Sequence, residues 1–113
     1  MKKEDYLKTF ELMTLGMIEK NRDKLEKSLS KDSKLIHMTG KSESREEYIV
    51  DILNGTLNYY DYKIISFDIR EAVVQLKAKV YGSSISWWTL KMNIEYIIEN
   101  DLIKIKKCKV GLG

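Results

Sequence analysis

The stretch from Leu35 to Gly55, LIHMTGKSESREEYIVDILNG, holds a strand, a turn, a capped helix and a helix stop, and no other part of the chain constrains the fold as much. Leu35 to Thr39 is a short β-type run ended by Gly40. Ser44, with Glu47 three residues on, forms a capping box that opens an amphipathic helix. Tyr48, Ile49, Ile52 and Leu53 make its apolar face, and Gly55 stands where a left-handed residue ends a helix.

Upstream, Tyr6, Leu7, Phe10, Met13, Met17 and Ile18 recur at three- and four-residue intervals, so a long amphipathic helix is expected from Glu4 to about Lys20. Asn21-Arg22-Asp23 is read as a polar break, Leu25 and Leu29 as a second helix ending near Ser30, and Lys31-Asp32-Ser33 as the turn into the strand at Leu35. Beyond Gly55 the period changes from 3.6 to 2. Leu57 to Arg70 is rich in aromatic and β-branched residues, and Ala72, Val74, Leu76, Ala78 and Val80 alternate with charged or polar neighbours as in a half-buried strand. Gly82-Ser83-Ser84 breaks the pattern before Ile85 to Glu99, and Asn100-Asp101 turns the chain into a last strand from Leu102 to Val110. There the apolar phase shifts between Ile105 and Cys108, as a β-bulge near Lys106-Lys107 would make it do. The order α-α-β-α-β-β-β-β, with helices first and antiparallel strands last, is α+β. The 113 residues suit one domain, 1–113.

Composition narrows the function classes. With 43% hydrophobic and 33% charged residues the chain is neither disordered nor membrane-spanning, and MKKEDYLKTFELM lacks the apolar core of a signal peptide, so a cytoplasmic protein is expected. One cysteine, Cys108, excludes an internal disulfide; with a single histidine, His37, no metal site is expected, and no cofactor motif is present. The net charge of +3 comes from 20 basic and 17 acidic residues that are interspersed, and the basic run Lys104 to Lys109 reads as a solvated strand face, so no nucleic-acid partner is expected.

The run L-x-x-D-x-x-L-x-H-x-x-G-x-x-x-S-R-E-E, from Leu29 to Glu47, together with the order of elements, resembles the nuclear transport factor two-like superfamily, which includes ketosteroid isomerases and polyketide cyclases. The resemblance implies helices closed over a strongly curved sheet, a conical pocket between them, and dimers through the outer sheet face. In ketosteroid isomerases a similar run carries the general-base Asp where His37 stands here. The other parts of that site have no counterpart. The first-helix position of the oxyanion Tyr falls in the Met13–Leu15 region, and the late strands offer Lys91, Asn93 and Glu95 in place of a protonated Asp. Steroid isomerisation is therefore not implied.

Strand phase then nominates a site. His37 shares a face with Leu35 and Thr39, Trp88 follows the inward phase of Leu90, Met92 and Ile94, and Tyr60 and Tyr62 fall together with Ile64. The expected pocket residues are His37, Tyr60, Trp88, Asn93, Met13 and Met17, with His37 as the candidate catalytic group. The leading reading is binding of a small, largely apolar ligand between the first helix and the sheet. One alternative is an isomerase, dehydratase or cyclase that uses His37 for proton transfer. Another is an interaction module whose outer face, with Trp87 among Val73, Tyr81, Ile85 and Thr89, binds a partner subunit while the pocket is vestigial.

Overall fold

The structure is a computed structural model that describes residues 2–80 and 84–113. The elements are α1 (Lys3–Glu19), α2 (Arg22–Ser28), β1 (Leu29–Ile36), β2 (Ser42–Ser44), α3 (Arg45–Leu53), β3 (Tyr59–Asp68), β4 (Glu71–Val80), β5 (Ser84–Glu99) and β6 (Leu102–Leu112). The six strands form one sheet in the order β2-β1-β6-β5-β4-β3. The three helices pack on it, an α+β arrangement as expected. The sheet is mixed rather than antiparallel throughout, because β1 lies parallel to β6. The expected break at Gly82-Ser83 and the place of Tyr81 in an outer patch lie outside the described residues, as does the Ile85 side chain.

Each helix end has a local cause. Ser44 Oγ accepts from the Glu47 N–H at 3.3 Å and Glu47 Oε1 accepts from the Ser44 N–H at 3.1 Å, so the capping box at the start of α3 is closed. Gly55 takes φ 84°, the left-handed conformation that ends α3. Asn21 belongs to α2 rather than to a break, since its side chain accepts from the Lys24 N–H at 3.1 Å and caps the helix. The helix stops at Ser28, and β1 starts at once at Leu29, where a turn at Lys31-Asp32-Ser33 was expected. That polar run lies within β1, at a register shift against β6 between Leu29 and Lys34.

The core lies between α1, α3 and the concave sheet face, where Phe10, Met13, Leu25, Ile49, Ile52, Leu76, Met92, Ile94 and Ile105 are fully or almost fully buried. Bulges decide which strand residues reach it. In β6 the register against β5 slips at Lys106, between the pairs Glu95↔Lys107 and Tyr96↔Ile105, so Ile105 and Cys108 both point inward. In β3 slips fall at Tyr60, between Tyr59↔Ala78 and Asp61↔Lys77, and at Ile65, between Ile64↔Val74 and Ser66↔Val73. Consequently Tyr59, Tyr62, Ile64 and Phe67 pack against the core, while Tyr60 and Ile65 turn out to 44% and 53% exposure.

Candidate functional site

Between α1, the β1–β2 hairpin, α3 and the concave face lies a cavity of about 370 Å³. Its walls are apolar along most of their length. Met13 and Met17 come from α1 because they lie one turn apart on its buried face, and Leu76, Leu90, Met92 and Trp88 come from the inward phase of β4 and β5. Trp88, 36% exposed, stands at the solvent side of this wall, and its Nε1–H donates to Ser86 Oγ at 2.7 Å.

One end of the cavity is polar. The chain reverses at Gly40, which takes φ 89°, and the His37 N–H bonds to the Lys41 carbonyl at 2.8 Å, closing the β1–β2 hairpin. Leu35 then pairs with Glu43, which puts the Glu43 side chain on the same face as His37. His37 Nε2 and Glu43 Oε1 are 2.5 Å apart, and Glu43 is only 4% exposed. Burial raises the Glu43 carboxyl above the ordinary carboxylate range, and a hydrogen bond with the Asp51 carboxyl raises it further, while His37 pulls the other way. Tyr48 of α3 and Tyr59 of β3 complete this end. Burial pushes the Tyr59 hydroxyl up to about 12 and raises that of Tyr48 as well, so both remain neutral hydrogen-bonding groups across the physiological range. Cys108 lines the cavity as a buried thiol raised to about 12, which keeps it an inert neutral side chain.

Of the residues nominated from strand and helix phase, His37, Trp88, Met13 and Met17 line the cavity. Tyr60 and Asn93 do not. The bulge at Tyr60 moves the inward phase of β3 onto Tyr59, so Tyr60 faces solvent and Tyr59 takes the place assigned to it. Asn93 stands between the inward-facing Met92 and Ile94, and the period of two puts it on the outer face, where it pairs with Glu71 and Lys109. Glu43, Asp51, Tyr48 and Tyr59 were not foreseen. The signal for Glu43 was a hairpin about Gly40 in phase with His37, hidden in the polar run KSES. Among the described residues no three His, Cys, Asp or Glu side chains converge as metal ligands do, and no helix is long and apolar enough to cross a membrane.

No protein-family model and no curated protein matches the chain. Solved structures do. An NTF2-like protein from Cytophaga hutchinsonii is similar over 100% of both chains, with 17% identity and a TM-score of 0.72. An NTF2-like protein of unknown function from Prochlorococcus is similar over 100% of this chain and 94% of its own, with 13% identity and a TM-score of 0.75. A hexachlorocyclohexane dehydrochlorinase, LinA-type3, from Novosphingobium barchaimii is similar over 97% of this chain and 85% of its own, with 11% identity and a TM-score of 0.72.

Proposed function

We propose that this chain, which has the nuclear transport factor two-like fold, binds a small and largely apolar molecule in the cavity between α1 and the sheet, with the polar end of that molecule held at His37. The observation that carries this reading is the pair of His37 and the buried Glu43 at the polar end of an otherwise apolar cavity. A volume of about 370 Å³ is in the range of small-molecule sites, about 300–1,000 Å³. A carboxyl buried to 4% exposure carries a desolvation cost that packing alone does not require. Native mass spectrometry of the protein purified from its own cells reads bound mass and subunit count together. A co-purifying molecule is expected, and His37→Gln should weaken its binding by about tenfold, the loss of one hydrogen bond worth about 1.4 kcal/mol. Unchanged affinity in His37→Gln would remove His37 from the site.

The arrangement of Glu43 behind His37 favours a second reading, an isomerase, dehydratase or cyclase in which His37 moves a proton on the bound molecule. A dehydrochlorinase of similar fold supports an enzyme of this broad kind. This reading expects turnover that vanishes in His37→Gln while the fold persists. Turnover retained in His37→Gln would dismiss it. On either reading we place a homodimer contact on the outer sheet face, where Trp87 is 46% exposed beneath Lys77.

A further inference from the structure

The hairpin of β5 and β6 runs past the rest of the sheet. β5 keeps β6 as partner as far as Glu99↔Leu102, but its pairing with β4 stops at Asn93, and one further main-chain bond, Ile94 N–H to the Arg70 carbonyl at 3.0 Å, reaches across. In an antiparallel strand the N–H and C=O of one residue point to the same side, and the side alternates along the chain. The main-chain groups of Tyr96 and Ile98 therefore point the same way as those of Ile94, where among the described residues no strand lies beside them. Such an edge is a template for another strand. Ile98 is 58% exposed beside it.

Against the same edge lies an open concavity of about 630 Å³ lined by Arg70, Lys106, Lys107 and Lys109, with Glu95 as its one carboxylate among the described residues. The bulge at Lys106 adds that side chain to the group formed by Lys107 and Lys109. None of the four cations takes part in an ion pair among the described residues. Four unpaired cations beside a row of free main-chain donors and acceptors select a strand that carries negative charge. A second copy of this chain would bring the same cations against these, and apposed like charges are disfavoured.

We propose that the free edge of β5 accepts an extended acidic peptide segment of another protein as an added antiparallel or parallel strand. Its main chain bonds Tyr96 and Ile98, one set of its alternate side chains presents carboxylates to Arg70, Lys106, Lys107 and Lys109, and the other set covers Ile98. The site is separate from the cavity that holds His37.

The probe is a synthetic peptide of alternating Glu and Val, titrated into ¹⁵N-labelled protein, beside a peptide with Lys in place of Glu. Saturable shifts of the Tyr96 and Ile98 amides and slower hydrogen exchange at both are expected for the Glu peptide only. The double variant Arg70→Glu, Lys107→Glu, exposed at both positions and checked for an unchanged circular dichroism spectrum, should weaken binding by more than about tenfold. Equal binding of the Lys peptide would overturn the proposal. So would shifts confined to the cavity, absence of protection at Tyr96 and Ile98, or an oligonucleotide or inorganic phosphate reproducing the shifts while the Glu peptide leaves the edge unprotected.

Discussion

The charge state of Glu43 is coupled to the fold. Its carboxyl is raised by burial and by Asp51, so between the unfolded value, about 4.3, and the raised folded value the folded chain holds more protons than the unfolded one. With that sign the Glu43 contribution to stability falls as pH rises through this window, opposite to that of Glu46 and Glu47, whose folded values are lowered by Arg22 and by Ser44. Urea unfolding of the wild type and of Glu43→Gln across acid to neutral pH isolates the Glu43 part. The difference should move in favour of Glu43→Gln as pH rises above the carboxylate range, and parallel curves would show that burial of this carboxyl costs nothing. His37 was legible beforehand because a lone histidine in a short apolar strand stands out, and Met13 and Met17 because helical period exposes them. Glu43 and Asp51 were not, since one lies in a polar run and the other on a helix flank, and only the hairpin register brings Glu43 to His37 and only the docking of α3 brings Asp51 to Glu43.

At the scale of elements, helix ends and close approaches carry the argument. Removing the Ser44 hydroxyl with Ser44→Ala should cost about 1 kcal/mol of stability, read as a lower urea midpoint at unchanged m-value, because it leaves the Glu47 N–H without its cap. Gly16 is a sharper test, for two effects oppose each other. Alanine in a helix interior gains about 1 kcal/mol over glycine. A Cβ at Gly16, however, would stand 2.9 Å from Leu25 Cγ and 3.2 Å from the Leu25 main-chain nitrogen, and α1 and α2 cannot part without opening the core around Leu25. Overpacking of this kind costs about 1–3 kcal/mol, so Gly16→Ala should be destabilising on balance, and a raised midpoint would mean that α2 yields freely. The capping box, the left-handed stop at Gly55 and the bulge in β6 were legible because each leaves a mark within a few residues. The bulge at Tyr60 left none. In Tyr59-Tyr60-Asp61-Tyr62 either neighbouring tyrosine suits the inward phase, and the choice of Tyr59 follows only from pairing with β4.

At the scale of the whole molecule, the proposed dimer contact is set by what the outer sheet face exposes. Trp87 stands there at 46% exposure with Lys77 Nζ 5.6 Å from its ring, and Val73 and Thr89 share its phase on β4 and β5. A stable contact needs about 800 Å² from each partner, several times what one indole supplies, so a dimer must spread from Trp87 over the neighbouring residues of both strands. Opposed copies would have to tolerate Lys77 and Lys91 near the contact. Lys91 is already paired with Glu71 at 2.7 Å, and Lys77 lies over the indole. Charge on this face is thus partly neutralised, unlike that beside the β5 edge, where four cations stand without partners among the described residues. The proposed dimer should appear by light scattering coupled to size exclusion at twice the 13.3 kDa chain mass. Trp87→Glu, which buries a carboxylate at the centre of such a contact and disturbs nothing in the core, should return the monomer with an unchanged circular dichroism spectrum. A wild-type monomer at high concentration, or a dimer that survives Trp87→Glu, would rule the outer face out as the contact.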